Sequence, residues 1–190
     1  MKKKIYLQRI GDIDPGILII LKKDLKRFFK KYRIKIVVLP DRLPLLDSEF
    51  ESYDRHYDGI EVKKRLITRN KNKTYHRIIG VMDVDIFTKE LEKIYGVADQ
   101  PRKKKSFGRA IITVTRLREE FYGRTKDVAL FEQRVVKEAI HELGHTFGLE
   151  HCENLCVMRF SNSLDDADKK PLNYCDVCLK KLNLYLGKSN

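Results

Sequence analysis

The stretch HELGHTFGLEH, at residues 141–151, contains three of the chain's five histidines together with two glutamates and two glycines. Side chains four residues apart on an α-helix share a face, so His141 and His145 can bind one metal ion. Glu142 points about 100° away around the helix, too far to be a third ligand but placed to reach a water molecule beside the ion. The pattern predicts metal-assisted hydrolysis with Glu142 as the general base.

A third protein ligand is needed if zinc is to keep one open tetrahedral position for water, and His151 is the candidate. On a continuing helix this histidine would lie about 9 Å further along and on another side. The helix must therefore end first, and Gly148 stands where glycine's tolerance of positive φ would allow it.

Three neutral imidazoles would leave zinc able to lower the pKa of a bound water, and Glu142 could take that proton and pass it to a leaving amine. This chemistry predicts peptide hydrolysis. The alternative is an amphipathic helix with incidental histidines, but the full pattern should arise by chance on the order of once in 10⁵ such chains.

The segment HELGHTFGLEH resembles the extended zinc motif of the metzincin clan of zinc peptidases, which it matches in full. The resemblance implies a mixed, twisted sheet over an active-site helix, followed by a small subdomain after the glycine. It also implies a methionine in a tight turn below the metal, and Met158 in CVMRFSNSL is similar to that residue. The methionine alone would be weak support, because methionine more often fills a core.

The cysteines narrow the resemblance. HCENLCVM followed by CDVC at 175–178 is similar to the archaemetzincins, in which four cysteines after the motif hold a second zinc; the matching residues are Cys152, Cys156, Cys175 and Cys178. Such a four-sulfur site is closed and structural. It would hold His151, the neighbour of the first cysteine, and the turn that carries Met158. Disulfides or redox-active pairs are the alternatives, which a reducing compartment disfavours.

Hydrophobic periodicity predicts the elements that must position these residues. We expect strands at 4–10, 33–40, 75–87 and 108–118, helices at 17–32 and 59–70, a loop at 41–58, and a long helix that begins after an N-cap at Asp127. The tail lacks strand patterns. This order indicates an α/β or α+β fold, in which a mixed sheet is backed by helices.

One domain should include all 190 residues. Within it we expect an N-terminal subdomain at 1–148, which contains the active-site helix, and a C-terminal subdomain at 149–190, which contains the cysteine site. By resemblance, the strand GRAIITVTRL is the candidate to pair with an extended substrate.

The remaining candidates stay outside the predicted site. His56 and His76 have no partner at ligand spacing, so we interpret both as ordinary histidines. Tyr174 could stabilise an oxyanion, but a packed tyrosine is the better interpretation.

The net charge of +13 comes from scattered basic clusters without interleaved aromatic residues. This pattern favours solvated lysines over a surface that stacks on bases, so nucleic acid is a partner that we do not favour. The competing hypothesis is a basic, zinc-stabilised binding protein for nucleic acid or acidic proteins, with no or latent peptidase activity. Glu142 argues against it, because a purely structural three-histidine site has no use for that carboxylate.

The amino end starts with lysines, as a signal peptide does, but no apolar run follows them. The run ILIIL at 17–21 is far shorter than the roughly 20 residues of a membrane span. We expect a cytoplasmic monomer with two zinc ions that acts on peptides or proteins and not at membranes.

Overall fold

A five-stranded sheet organises the computed structural model, which describes residues 3–51, 55–66, 77–91, 93–101 and 107–187. The strands are β1 Lys4–Ile10, β2 Lys35–Leu43, β3 Phe50–Glu51, β4 His56–Asp58, β5 Arg77–Met82, β6 Ile86–Phe87, β7 Gly96–Ala98 and β8 Gly108–Thr113. The large sheet has the order β2-β1-β5-β8-β7, with parallel pairs except for the antiparallel pair β7–β8. The three remaining strands form a small second sheet.

Five helices complete the described part of the chain: α1 Pro15–Phe28, α2 Gly59–Lys64, α3 Val128–Thr146, α4 Leu164–Lys169 and α5 Asp176–Leu186. Asp14 caps α1 by accepting a hydrogen bond from the backbone N–H of Gly16, at 2.8 Å, and Pro15 suits the first helical position. Short 3-10 helices follow α1 at 30–32 and β8 at 115–117 and 119–122.

The two faces of the large sheet bury different sets of helices, because successive strand residues point to opposite faces. One face, which includes Ile79 and Val81 of β5, packs with α1, α3 and the segment that leads to α5. The other, which includes Ile78 and Met82, packs with α2. Every residue of β5 is buried, as expected for a central parallel strand.

A buried ion-pair network fastens α4 to α3. Arg134 is only 2% exposed and donates two hydrogen bonds to Asp168, at 2.7 and 2.6 Å, and one to the Leu117 carbonyl at 3.0 Å. It also pairs with Glu119 at 2.6 Å. The guanidinium thus connects α3 to the segment that contains Leu117 and Glu119, before this helix, and to α4, after the histidine motif.

The predicted α/β class with a mixed sheet is confirmed, and the tail at 149–187 contains helices and no strand in its described residues. The strand predicted at 4–10 is observed with the same bounds. Asp127 caps α3, as predicted, by accepting a hydrogen bond from the Leu130 N–H at 2.9 Å. The predicted helix at 59–70 ends at Lys64, and 67–70 lie outside the described residues.

Other boundaries differ from the prediction. The predicted strand at 75–87 is two strands, β5 and β6, and that at 108–118 ends at Thr113. The predicted loop at 41–58 contains β3, β4 and the end of β2, and β7 lies in a segment without a predicted strand. Elements of two or three residues are too short to show a period of two, so the pattern could not reveal them.

Candidate active site

Helix α3 carries the first two histidines into the interior. His141 and His145 are 5% and 8% exposed, and their Nε2 atoms lie 3.1 Å apart. The Nδ1 atom of His141 faces the Val157 carbonyl at 2.9 Å, and that of His145 faces the Leu149 carbonyl at 2.8 Å. These carbonyls take the Nδ1 hydrogens and leave both Nε2 lone pairs directed at one point.

Gly148 ends the helix as the sequence predicts. It has a φ of +81°, and the N–H of Leu149 donates to the Gly144 carbonyl at 3.1 Å. This left-handed cap reverses the chain and returns His151 to the other two imidazoles. The His145 and His151 ring centroids are 4.8 Å apart.

The three histidines fit a zinc ion. Their ligand nitrogens all lie within 4.8 Å of one another. A tetrahedral zinc with bonds of about 2.05 Å needs nitrogen pairs about 3.3 Å apart, close to the 3.1 Å between His141 and His145. Burial, followed by the charge of Lys170, lowers the pKa of His141 to about 3; burial, followed by the charge of His141, lowers that of His145 to about 3. Both are therefore neutral at physiological pH, the form that binds metal.

Glu142 lies behind the histidines and is 4% exposed. Its Oε2 atom has no hydrogen-bond partner among the described residues, an unusual state for a buried carboxyl oxygen. Burial, with the charge of Glu138 as the next cause, raises its pKa well above the ordinary range. Gly96 of β7 closes over it: a Cβ there would lie 2.6 Å from Glu142 Cγ.

A buried methionine packs against the helix that carries the first two histidines. Met158 is fully buried, and a Cβ at Gly144 in α3 would lie 2.4 Å from its Sδ atom. The mid-helix glycine therefore makes room for the methionine against the active-site helix. Tyr174 packs nearby and donates to the Ile140 carbonyl at 2.9 Å, so it has the structural place that the sequence favoured.

The four cysteines also come together. Their sulfurs lie within 4.8 Å of one another, and Cys152 and Cys175 are 3.7 Å apart. Tetrahedral zinc with bonds of about 2.3 Å needs sulfur pairs about 3.8 Å apart. All four thiols are free, and the 3.7 Å separation is far longer than a disulfide bond of about 2.0 Å. The geometry fits a shared ion and not a disulfide.

The cysteine cluster at the start of α5 contains one thiol with a lowered pKa, Cys175, and two thiols, Cys156 and Cys178, whose pKa burial raises. Burial alone would raise the pKa of Cys175, but hydrogen bonds from the Cys178 backbone and the Asn154 side chain lower it to about 6. The Cys156 sulfur accepts from the N–H groups of Met158, at 3.5 Å, and Cys175, at 3.2 Å. Such N–H donors stabilise a thiolate, which is the form that binds zinc.

A cavity of about 680 Å³ opens in front of the histidines. Strand β7 and the segment 160–164 line it, and the exposed side chain of Phe160 packs against His151 with ring centroids 4.9 Å apart. The polar residues of the lining include Arg116, Tyr122, Glu138 and Lys170. The site is therefore an open cleft large enough for several residues of a peptide.

The sequence model of peptidase family M54 matches residues 3–184. The chain belongs to peptidase family M54. An archaemetzincin from Pyrococcus furiosus is 36% identical over 191 residues, which cover 99% of this chain and 96% of that protein. The protein is accordingly a zinc metallopeptidase whose substrates are peptides or proteins.

Solved archaemetzincin structures show the same fold. That of Methanopyrus kandleri is 28% identical, covers 98% of this chain and 97% of its own, and superposes with a TM-score of 0.80. That of Archaeoglobus fulgidus, determined in complex with malonate, is 31% identical, covers 94% and 99%, and has a TM-score of 0.76. The predicted family is thereby confirmed.

One prediction of the sequence is wrong for this M54 peptidase. Strand β8, within GRAIITVTRL, was the candidate to pair with substrate, but it lies inside the sheet between β5 and β7. Its backbone already pairs on both sides at 110–112, so no edge is free there. Strand β7 is the edge at the cleft.

Four residues of the site were not predicted from the sequence: Gly96, Glu138, Gly144 and Lys170. Only the mid-helix glycine gave a signal, because glycine in a helix interior usually has a packing reason.

His56 lies 3.5 Å from Asp85 and outside the cleft lining, and His76 is outside the described residues. Within the described ranges, no helix has the length and apolar content that a membrane span needs.

Proposed function

We propose that His141, His145 and His151 bind the catalytic zinc of this metallopeptidase and that Glu142 is its general base. One observation carries the proposal: three convergent ligand nitrogens lie beside a buried carboxyl oxygen that has no partner among the described residues. Zinc held by three neutral imidazoles acts as a Lewis acid toward water and the substrate carbonyl.

Glu142 performs the proton transfers. Its raised pKa makes the ionised carboxylate a stronger base than an exposed glutamate, so it can take a proton from the attacking water. The resulting carboxylic acid then protonates the leaving amine, which completes hydrolysis of the peptide bond. Gly96 packs directly over the side chain and limits its movement and its contact with bulk water.

Strand β7 binds the substrate backbone. It pairs with β8 on one side and lies at the edge of the large sheet as described, and its three residues line the cleft. An extended peptide added to this edge would form main-chain hydrogen bonds independent of its side chains. The same geometry would hold the scissile bond across the histidines.

The cysteine quartet binds a second, structural zinc, so the protein carries two ions. Cys152, Cys156, Cys175 and Cys178 form a closed donor set that leaves no position for substrate. The segment 149–190 is then a zinc-stabilised C-terminal subdomain on the N-terminal part, 1–148, in one catalytic domain. We expect a monomer to suffice for activity, since His141, His145, His151 and Glu142 all come from one chain.

Replacement of Glu142 by Gln tests the general base. The variant should keep its zinc while kcat/KM for a peptide library falls by about 10²- to 10⁴-fold, because an amide cannot accept the proton. Glu150→Gln is the matched control, since it makes the same change at an exposed position of the same motif. Full activity of Glu142→Gln would refute the mechanism.

A further inference from the structure

A second cavity lies behind the active-site helix α3. It has a volume of about 370 Å³, and α3 contributes Val136 and Ile140 to its lining. Glu138 and Glu142, which line the catalytic cleft, are two residues before and after Ile140, about 200° around the helix axis. The second cavity and the cleft therefore lie on opposite sides of α3.

The floor of this cavity is apolar. Beside the two α3 residues, it is lined by Phe28, Tyr32, Leu172, Tyr174 and Leu179. Tyr32 donates its hydroxyl hydrogen to the Asn183 Oδ1 atom at 2.7 Å, and Tyr174 donates to the Ile140 carbonyl at 2.9 Å. Both hydroxyls thus have partners inside the protein, and the rings contribute apolar surface. A cavity of this size and lining can accept a bulky apolar side chain.

The rim of the cavity is basic. Arg27 and Lys31 line it and are exposed, and Asp24 is also part of the lining. The positive charge continues along α1 and the short helix after it, where four more lysines are exposed: Lys22, Lys23, Lys26 and Lys30. Residues 22–31 carry six basic side chains and one acidic, a net charge of +5. None of these six cations forms an ion pair within the described part of the chain, so their charge is available to a partner.

This combination is complementary to an acidic polypeptide segment. Lys22 lies five residues, about 7.5 Å along the axis, before Arg27, so the positive surface extends further than one small anion reaches. Nucleic acid fits less well, because its bases stack on exposed aromatic faces. Tyr32 and Tyr174 are only 6% and 8% exposed, and the rest of the floor is largely aliphatic.

We propose that this basic groove, with Arg27 and Lys31 at its rim and the apolar residues at its floor, docks an acidic segment of a partner protein. One bulky apolar side chain of the segment fills the floor, and the flanking carboxylates meet the rim and the lysines of α1. Because the groove lies behind α3, the docked partner leaves the catalytic cleft open. Docking and peptide cleavage therefore use separate surfaces.

The test uses full-length, zinc-loaded protein and a short fluorescein-labelled peptide of aspartate, glutamate and serine with one central phenylalanine. Fluorescence anisotropy at low salt measures its Kd, and mass spectrometry checks that the peptide stays intact. Exchange of the phenylalanine for serine should weaken binding by about tenfold or more, because the ring no longer covers the apolar floor. Added salt should also weaken binding, because the rim is exposed.

Charge reversal locates the binding site on the protein. Arg27→Glu combined with Lys31→Glu should weaken binding of the phenylalanine peptide by about tenfold or more. Lys35→Glu combined with Lys89→Glu is the matched control, because it changes the net charge equally at two exposed positions outside the groove. The control should bind within about threefold of the wild type, since distant exposed charges are screened. Thermal unfolding checks that both double variants are folded.

Cleavage of a short neutral peptide separates the groove from the cleft. The acidic peptide should leave the KM of that substrate unchanged. Competitive inhibition with a Ki equal to the measured Kd would place the acidic peptide in the cleft and overturn the inference. Equal affinities for the phenylalanine and serine peptides, or for the rim variant and its control, would also overturn it. So would tighter binding of a DNA duplex or of phosphatidylserine vesicles at the same rim.

Discussion

Gly96 of β7 leaves no room for a side chain beside the proposed general base. A Cβ at this position would lie 2.6 Å from Glu142 Cγ, 2.9 Å from its Cδ and 2.8 Å from the Ile111 carbonyl oxygen. The carbonyl belongs to the neighbouring strand and cannot move without disturbing the sheet. In Gly96→Ala the strain must therefore move Glu142, β7 or both.

The required displacement sets the expected size of the effect. An ordinary contact begins at 3.4 Å, so the 2.6 Å approach is about 0.8 Å too short. Overpacking of this kind costs about 1 to 3 kcal/mol of stability. A misplacement of about 1 Å at a reacting group can cost about 100-fold in rate, so we expect a fall in kcat/KM near that value.

Gly80→Ala is the matched control, because its Cβ would lie 2.4 Å from Ile10 Cδ1 on the α2 face of the sheet, away from the cleft. Thermal unfolding, zinc content and peptide cleavage are compared for both variants at a temperature where both are folded. Both should lose stability, but only Gly96→Ala should lose activity. Equal activity in the two folded variants would refute the role assigned to Gly96.

Three further predictions follow from burial and charge. Zinc bound at the histidines should lose little affinity between pH 7 and 5 in chelator competition, because pKa values near 3 keep His141 and His145 neutral there. Each imidazole with an ordinary pKa would instead lower the zinc affinity about 30-fold at pH 5. A loss of about 10³-fold in affinity would therefore contradict this prediction. Cys178→Ser should lower the zinc content from two ions to one and lower the melting temperature; two ions retained would exclude the quartet site. Arg134→Met should cost about 3 to 5 kcal/mol in urea unfolding, because it removes the buried cation that pairs with Asp168 and with Glu119, which keeps only the exposed Arg124 at 3.5 Å; a loss under about 1 kcal/mol would contradict it.

The local parts of the site were readable from the sequence. The candidate ligands His141, His145 and His151 lie within one short segment, so helix geometry and one glycine predict how they converge. The long apolar strands and the N-cap at Asp127 were equally local, because their signals are periodicity and side-chain capping.

The contacts between distant segments were not readable. Glu138 reads as one more charged helix residue and Lys170 as one more surface lysine, since only the fold shows that both are buried at one cleft. The edge position of β7 depends on the strand order, which hydrophobic patterns do not specify. For this reason the wrong strand was chosen as the substrate partner.

The loop between the two candidate metal sites links their occupancies. Val157, whose carbonyl orients His141, directly follows Cys156, and the N–H of Cys152 donates to the Met158 carbonyl at 3.0 Å. An ion held by the cysteines would fix this loop and so prepare the histidines for theirs. Linkage is reciprocal, so each ion would raise the affinity for the other by the same factor, and the two would fill cooperatively.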